Sequence, residues 1–342
     1  MKKALSLLLT LTLAAGLLCG CAKPVEPQPV QPSAALDSPE SAAPEAPAST
    51  PETPDFDPAQ VNPPLWKVTD AQGHTLYLFG TIHVGDGRNP VVLDKVAPVL
   101  ENCDALAVEF DLVAYEQDPS AMMADIQGFI YTDGTTVKDH MNEELYDRCA
   151  ELLRQIGAYS PMLDYYNLGM WSQLVEQAAL MCYSKLDPAF AMDSLLINRA
   201  YEKSIPVLSI ESPNFQYELL NSFPDELNLL SIESTLDGLE NYGEELNELY
   251  EAWLSGDADR LLGILNSEDE DENFTEEQLA MLEDFNRAML DDRNIGMAEA
   301  AKGYLASGDT VFLAVGAAHM LDEMGLVQLL AEAGCTVERI DY

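Results

Sequence analysis

Two apolar runs of this sequence end in the same way, with a glycine followed three residues later by a histidine. The first run, LYLFGTIH, ends at His83, and the second, VFLAVGAAH, ends at His319. Short runs that are apolar at almost every position are typical of strands buried on both faces, as in a parallel sheet covered by helices. These runs therefore predict an α/β fold whose central sheet takes strands from both ends of the chain.

The pattern around the first run predicts a hairpin and then a crossover. A strand from Leu65 to Thr69 and a strand from Thr75 to Gly80 flank a turn at Gly73, with His74 exposed beside it. The segment NPVVLDKVAPVLENC has helical spacing, and ALAVEFD is a nearly all-apolar strand that ends at Glu109. A strand, a helix and a strand in this order favour parallel pairing through a right-handed crossover.

The middle of the chain has the apolar spacing of helices, for example from Leu145 to Ile156 and from Leu168 to Ala178. The segment SIPVLSIE interrupts them as another buried strand, which ends at Glu211. A long helix is predicted from about Glu276 to Ala306, before a final strand, helix and strand in which Gly334 is the helix C-cap. The predicted fold is a central, largely parallel, mixed sheet flanked by helices, with a helical insertion in the middle.

The first residues have the pattern of an export signal. Lys2 and Lys3 precede an apolar run from Ala4 to Leu18, which is too short for a comfortable membrane span. The following LCGC resembles a bacterial lipobox, in which Cys21 is acylated after cleavage and anchors the chain through two or more acyl chains. We expect residues 1–20 to be a lipoprotein signal; an ordinary cleaved signal with an incidental cysteine is the alternative.

Residues 21–64 are expected to tether this anchor to one folded domain, residues 65–342. The segment from Ala22 to Pro64 holds 12 of the 20 prolines and has no apolar periodicity, so it cannot bury enough surface to offset the entropy of ordering. The domain is then expected to be secreted and lipid-anchored, on the outer face of the bacterial cytoplasmic membrane or on the periplasmic side.

The charge of the chain limits its partners. Lysine and arginine together number 17 and aspartate and glutamate 59, which gives a net charge of −42. Such a surface repels phosphate backbones, so we expect no nucleic-acid partner, and it also disfavours flat adhesion to anionic lipid. Contact with the membrane is expected through the lipid on Cys21.

The cysteines of the expected domain leave disulfide pairing open. None of them forms a C-x-x-C pair, so the sequence has neither a zinc knuckle nor a thioredoxin motif. Outside the cytoplasm disulfides are permitted, but each cysteine lies in an apolar helix or strand pattern, where a buried free thiol fits equally well. The four are Cys103, Cys149, Cys182 and Cys335.

Four polar residues follow predicted strands at the point where each strand ends. They are His83, Glu109, Glu211 and His319. In an open α/β sheet, function gathers at the carboxyl ends of the parallel strands, so neighbouring strands would bring two imidazoles and two carboxylates to one edge. Gly80 and Gly316 would let the backbone turn tightly or approach a ligand there.

Two imidazoles and a carboxylate form a metal-ligand set. They suit Zn, Mn, Co or Fe with a position left for water, which a bound metal makes acidic enough to attack a carbonyl. A second carboxylate would then handle the proton. Without metal, the same residues could form a histidine base oriented by glutamate. The plain structural alternative is that the histidines cap strand-end carbonyls and the glutamates are solvated.

Five blocks of the sequence, in order, resemble the TraB/GumN family, which is related to the TIKI proteases and more distantly to erythromycin esterases and haem-binding ChaN proteins. The first blocks are YLFGTIHVGD and ALAVEFD. The central block, AMDSLLINRAYEKSIPVLSIESPNFQYELLNSFP, includes Asp193, Glu211 and Gln216. EAWLSGD follows, and the last block, from LLDDRNIGM to the second G-x-x-H and GCTVERI, includes Arg293 and Asn294.

This resemblance implies a metal-dependent hydrolase that acts on peptide bonds with manganese or cobalt. It implies that His83, His319 and Glu109 hold the metal and that Glu211 and Arg293 take part in catalysis. Arg293 could neutralise the carboxylates or stabilise an oxyanion, or could merely form an ion pair on a helix surface. The sequence departs from the family pattern in the loop after the second histidine. Family members often have a shorter, glycine-containing turn there, whereas this chain has Met320 and Leu321 followed by acidic residues before Gly325. The resemblance therefore says less about the shape of this loop and about the substrate.

Asp193 has two interpretations. It could orient a histidine as a catalytic partner, or it could simply cap the helix SLLINRAYEK. The expected activity is therefore a surface-anchored hydrolase of peptide or protein substrates. The rivals are a ligand-binding lipoprotein, with Met320 beside a haem, and a metal-free esterase with a histidine base.

Overall fold

The computed structural model of the protein describes residues 56–58, 61–266 and 274–341. The predicted signal, the predicted lipidation site Cys21 and most of the predicted tether lie outside these residues. The centre of the described part is a six-stranded sheet of order β4-β3-β5-β2-β1-β6. Its strands are β1 (Leu65–Thr69), β2 (Thr75–Thr81), β3 (Ala105–Val108), β4 (Val207–Ser209), β5 (Val311–Gly316) and β6 (Thr336–Arg339).

The four strands β4, β3, β5 and β2 are neighbours and all run parallel. Strands β1 and β6 complete the other edge with antiparallel pairing. All six residues of β5 are buried, because a central strand of a covered sheet has apolar neighbours on both faces. The predicted fold class, a largely parallel mixed sheet built from both chain ends, is confirmed.

The prediction that β2 and β3 pair directly is wrong. The two strands are parallel, but β5 from the far end of the chain lies between them and pairs with both. In the register, Gly80 faces Val315 and Thr81 faces Gly316 across β2 and β5. The two G-x-x-H segments therefore leave the sheet side by side.

The strand predicted to be buried through Glu211 is shorter and more open than expected. β4 ends at Ser209 and is only partly buried, because it is an edge strand with a single neighbour. Hydrogen bonding between the two parallel segments continues past the end of β4, since Glu211 N–H donates to Glu109 O over 2.7 Å. That bond keeps the two glutamates next to each other.

Helices cover the sheet and form the insertion between its two halves. They are α1 (Asn89–Leu100), α2 (Leu112–Glu116), α3 (Pro119–Gln127), α4 (Val137–His140), α5 (Glu143–Gln155), α6 (Leu168–Tyr183), α7 (Met192–Lys203), α8 (Pro213–Asn221), α9 (Asp225–Asp237), α10 (Tyr242–Ser255), α11 (Ala258–Leu265), α12 (Glu276–Asn286), α13 (Asp292–Ser307) and α14 (Leu326–Glu332). Short 3₁₀ segments lie at Pro161–Tyr165, Pro188–Phe190 and Ala317–Met320.

The two C-terminal helix predictions need correction. The long helix expected from about Glu276 is continuous in direction, but a π-helical segment, Arg287–Asp291, separates α12 from α13. The helix predicted after the second G-x-x-H segment is preceded by a 3₁₀ turn, Ala317–Met320, and this helix, α14, begins only at Leu326. Gly334 follows α14 with a φ of 91°, as its predicted capping position requires.

The cysteines differ in burial. Cys149 is buried, Cys103 and Cys335 are half-buried, and Cys182 is exposed, so the expectation of four thiols within apolar elements is too broad. All four are free thiols in this structure. Burial raises the pKa of Cys149 to about 12, which keeps it protonated. Among the described residues, no helix has the length and apolar character needed to span a membrane.

Candidate active site

The carboxyl ends of the four parallel strands meet at one edge of the sheet, and each carries one of the four polar residues singled out in the sequence. Glu211 follows β4, Glu109 follows β3, His319 follows β5 and His83 follows β2. These strands are consecutive in the sheet, so the four side chains converge as predicted. Arg293, from the first turn of α13, completes the group.

Arg293 joins the two glutamates. Its Nη2 donates to Glu109 Oε2 over 2.5 Å and to Glu211 Oε2 over 2.9 Å, and its Nε donates to Glu211 Oε1 over 2.9 Å. Gln216 bridges the same carboxylates, since its Nε2 donates to Glu109 Oε2 over 3.0 Å and to Glu211 Oε2 over 2.8 Å. The Arg293 side chain is 2% exposed, so the interpretation of this residue as a helix-surface ion pair is wrong.

The electrostatics of Glu109 follow from these partners. Burial alone raises the pKa of a carboxyl group, but here Arg293, followed by His319 and His83, outweighs burial and holds the pKa of Glu109 well below its ordinary value. Gly316 N–H also donates to Glu109 Oε1 over 2.9 Å. Glu109 is therefore a fixed, ionised carboxylate whose Oε1 faces the histidine side of the site.

His83 is held by an aspartate. Its Nδ1 lies 2.7 Å from Asp193 Oδ2, and the other oxygen of that carboxylate accepts a hydrogen bond from Thr81 Oγ1 over 2.6 Å. Burial lowers the pKa of His83, but the charge of Asp193 outweighs it, so the net shift is upward. The side chain of His83 is 18% exposed, against 5% for His319, so His83 is the more accessible imidazole.

The interpretation of Asp193 as a helix cap is wrong. Helix α7 begins at Met192 with Ala191 as N-cap, and its cap residue makes no side-chain hydrogen bond. Asp193 is already inside the first turn, and its carboxylate points to Thr81 and His83 instead. The structure thus places it beside the imidazole, as the other interpretation expected.

His319 is held by an amide. Its Nδ1 lies 2.7 Å from Asn294 Oδ1, and Asn294 Nδ2 donates to Met324 O over 2.9 Å. That second bond fixes which end of the amide is oxygen, so Nδ1 of His319 is the donor and its Nε2 carries a lone pair. Burial and then the charge of Arg293 lower the pKa of His319 to about 3. The ring is neutral near pH 7, with Nε2 3.9 Å from Glu109 Oε1.

Of the two motif glycines, only Gly80 is needed for close packing, and neither is needed for a left-handed backbone. Neither has a positive φ. A Cβ on Gly80 would lie 3.0 Å from the Cα of Ala317. A Cβ on Gly316 would stand 3.5 Å from Glu109 Oε1 and 4.0 Å from His83 Nε2. These are ordinary van der Waals distances, so a Cβ on Gly316 would fit between Glu109 and His83 without a clash.

Sequence reasoning missed part of the support of this site. Gln216 and Asn294 lie in the blocks of resemblance, but no role was expected for either of them. Thr81 lies inside the G-x-x-H segment, and its position two residues before His83 on the same strand end was the signal that could have identified it. The π segment contributes as well, because Met289 O accepts a hydrogen bond from Arg293 Nη1 over 3.1 Å.

Met320, the residue that kept a haem ligand possible, is 1% exposed. Its Cγ would lie 3.4 Å from a Cβ on Gly80, so it packs under the first motif segment. Met320 is therefore a core side chain in this fold, and it does not face an open slot beside His319.

The donors at the site were tested against a divalent metal. Within the described residues, no three His, Cys, Asp or Glu side chains are drawn together into a ready-made metal cluster. The donor chemistry does fit, because both imidazoles have Nδ1 held by an oxygen, which is how metal-binding histidines are usually oriented. Two Nε2 atoms and Glu109 Oε1 are thus the atoms that could hold a metal.

The comparisons with known proteins give one result. The sequence model of the TraB/PrgY/gumN family matches residues 64–339 of the chain. No curated protein matches the chain, and no solved structure matches it. The family match covers the sheet, the helical insertion and every residue of the site, and it confirms the resemblance read from the five sequence blocks. The chain belongs to the TraB/PrgY/gumN family.

Proposed function

We propose that this protein is a metal-dependent hydrolase that cleaves peptide bonds at the carboxyl edge of its sheet. The observation that carries the proposal is the matched orientation of the two histidines. Asp193 Oδ2 lies 2.7 Å from His83 Nδ1 as an ion-pair contact, and Asn294 Oδ1 accepts a hydrogen bond from His319 Nδ1 over 2.7 Å, so both Nε2 atoms are left for a ligand. Peptide or protein substrates and the preference for manganese or cobalt rest on the family resemblance; zinc or iron would accept the same donors.

The metal would be held by His83 Nε2, His319 Nε2 and Glu109 Oε1. A divalent metal bound there would supply an acidified water and polarise the scissile carbonyl. The protein's own residues prepare this site: the low pKa of His319 leaves its nitrogen unprotonated, and Arg293 keeps Glu109 ionised and fixed. Metal affinity depends on deprotonated ligands, so both effects favour binding, whereas the raised pKa of His83 means that a metal must displace a proton from that ring at lower pH.

Glu211 was expected to be a catalytic proton acceptor, and its contacts suggest a different contribution. Both of its oxygens accept hydrogen bonds, from Arg293 Nε and Nη2 and from Gln216 Nε2. We propose that Glu211 holds Arg293 and Gln216 against Glu109, and that Arg293 stabilises negative charge that develops on the substrate. Asp193 is proposed to orient His83.

The test is the metal content of the full chain beside two double variants, after loading with Mn, Co, Zn or Fe. The first is His83→Ala with His319→Ala, and the matched control is His74→Ala with His140→Ala, which removes the two other histidines of the chain. We expect about one metal per chain in the wild type and the control, and none in the site variant. Peptide cleavage should follow the same order.

An equal metal content in all three proteins, with the fold intact by circular dichroism, would contradict the proposed metal site. Retention of metal in the wild type without cleavage of any peptide in a broad library would instead remove the hydrolase part of the proposal.

A second candidate function is favoured by one contact, the 2.7 Å approach of His83 Nδ1 to Asp193 Oδ2. An imidazole backed by a carboxylate is the arrangement of a general base. In a metal-free esterase His83 would act in this way and activity would persist in a chelator. Hydrolysis of ester substrates in EDTA, lost in His83→Ala and also in Asp193→Ala, would support this candidate over the first.

We also propose that the enzyme acts outside the cytoplasm, anchored to the membrane through acylated Cys21. The support is the sequence pattern alone, a short apolar run, a lipobox-like LCGC and a proline-rich segment. Incorporation of labelled palmitate into the wild type, and its loss in Cys21→Ser, would be the expected result. Equal labelling of the two proteins would contradict it.

A further inference from the structure

We propose that Thr81 is a positioning residue of this site, whose hydroxyl sets the orientation of His83 through Asp193. The consequence for catalysis rests on the proposed function, but the orientation of His83 can be measured without it. Thr81 is the last residue of β2, and His83 follows two positions later. The carboxylate of Asp193 is held between them, one oxygen to each.

The contacts make Thr81 a specific support. Its hydroxyl donates to Asp193 Oδ1 over 2.6 Å, a length typical of a strong hydrogen bond to a charged oxygen. Within the described residues this is the one hydrogen bond to Oδ1. Thr81 is fully buried, and its branched side chain has few rotamers, so the donor is fixed in place.

The carboxylate needs this donor because it comes from a different element. Asp193 lies in the first turn of α7, whereas His83 lies in the loop after β2. Rotation of the carboxylate would move Oδ2 away from His83 Nδ1, and Thr81 opposes that rotation by holding Oδ1. One strand end therefore supplies both the imidazole and the group that aims its partner. Loss of such an outer partner usually costs a metal-binding histidine about 10–100-fold in affinity or activity.

The chain contains a matched control. Thr235 is also buried, and its hydroxyl donates to an oxygen of buried Glu176 over 2.8 Å. This second pair joins α9 to α6 in the helical insertion and includes no histidine. Thr235→Val removes the same kind of bond as Thr81→Val, so a general loss of stability affects both variants, and a positioning role is confined to Thr81.

The experiment uses the metal-free full chain, labelled with ¹⁵N in its four histidines, whose ring nitrogens are recorded by long-range proton–nitrogen correlation. His83→Gln assigns the His83 signals. In a buffer alkaline enough to keep His83 neutral, we expect Thr81→Val to shift the His83 nitrogen signals toward a mixture of tautomers and to leave His74, His140 and His319 unchanged. Thr81→Ser should restore the wild-type pattern, and Thr235→Val should leave all four rings unchanged.

Unaltered His83 signals in a folded Thr81→Val variant would overturn the proposal, and so would a failure of Thr81→Ser to restore them. If the valine variant does not fold, Thr81→Ala replaces it: signals shifted in alanine and restored in serine support the proposal, and equal signals in both overturn it. The measurement needs neither metal nor substrate, so a wild type that binds no metal would contradict the proposed function and leave this test intact.

Discussion

The guanidinium of Arg293 is the charge on which the two buried glutamates depend. It is 2% exposed, and it donates to both oxygens of Glu211 and to one oxygen of Glu109. Removing one partner from a buried ion pair leaves an uncompensated charge, which usually destabilises a protein more than the pair had stabilised it. Changes at Arg293 are therefore expected to lower the stability of the fold, apart from any effect on the proposed activity.

We expect Arg293→Met to lower the free energy of unfolding by about 3–5 kcal/mol, because Glu109 and Glu211 are then left facing each other. Adding Glu109→Gln and Glu211→Gln should recover part of that loss. Urea unfolding measures both. The control is Arg154→Met, which removes an exposed ion pair with Glu151 and should cost less than about 1 kcal/mol. Equal losses in the two arginine variants would contradict the burial argument.

His319 makes a prediction about pH. Its folded-state pKa of about 3 is below its ordinary value of 6.5, so the unfolded chain takes up a proton that the folded chain does not. This contribution lowers stability as pH falls from about 6.5 toward 3, by up to about 1.4 kcal/mol per pH unit. We expect His319→Asn, which keeps a donor for Asn294 but does not titrate, to show a shallower loss between pH 6 and pH 4.

The measurement is urea unfolding of both proteins in EDTA across that range. His83, whose pKa shifts upward, is present in both and cancels in the comparison. If the free energy of unfolding falls equally with pH in the wild type and in His319→Asn, then His319 does not stay neutral in the folded protein over this pH range.

At the scale of elements, the end of β2 is packed too tightly to accept a side chain at Gly80. A Cβ there would lie 3.0 Å from Ala317 Cα and 3.1 Å from Ala317 Cβ, and Gly80 O accepts a hydrogen bond from Trp253 over 2.8 Å. The packing of Gly80 against Ala317 joins the end of β2 to the 3₁₀ turn after β5. It keeps the two histidine-bearing segments together.

We expect Gly80→Ala to destabilise the fold by about 1–3 kcal/mol through overpacking. Gly303→Ala should have the opposite sign, a gain of up to about 1 kcal/mol, because Gly303 lies inside α13 and nothing stands within 4 Å of its added Cβ. Thermal unfolding of both variants against the wild type gives the comparison. A stabilised Gly80→Ala protein would refute the close-packing account.

The π-helical segment Arg287–Asp291 was not predicted from the sequence. The apolar spacing of a long helix continues through Arg287–Asp291, so the pattern predicts one uninterrupted α-helix. The segment matters because Met289 O accepts from Arg293 Nη1, and π turns are common at functional sites. The segment ends directly before α13, whose first turn carries Arg293.

At the scale of the whole molecule, the net charge of −42 causes repulsion among the acidic side chains, and this repulsion is strongest when the chain is compact. Repulsion among like charges destabilises the folded state, and salt screens it over a Debye length of about 30 Å at 0.01 M and 8 Å at 0.15 M. We expect Tm in EDTA to rise by about 2–4 °C over that range, which corresponds to about 1 kcal/mol for a chain of this size.

Scanning calorimetry in NaCl and in KCl provides the check. The two salts should agree at equal ionic strength, because screening depends on ionic strength and not on the identity of the ion. A Tm that stays constant or falls with salt would show that self-repulsion does not limit this fold.

The sequence by itself determined the fold class, the strands and the polar residues at their ends. Apolar runs such as those of β2 and β5 are typical of strands covered by helices on both faces, so their place in the sheet could be predicted. The helical spacing from Leu145 and from Leu168 likewise predicted α5 and α6; α5 buries one apolar face, whereas α6 is buried all round from Leu168 to Leu180. His83, Glu109, Glu211 and His319 could be named because each follows such a run.

Tertiary structure alone decided the rest, because it depends on which elements become neighbours. The insertion of β5 between β2 and β3 brings His319 beside His83 and Glu109, and no local pattern encodes that order. The hydrogen bond between Thr81 and Asp193, on which their proposed roles rest, spans 112 positions of the chain. Local periodicity reports which face of an element is buried, whereas the partner of a buried polar group is set only when distant segments pack together.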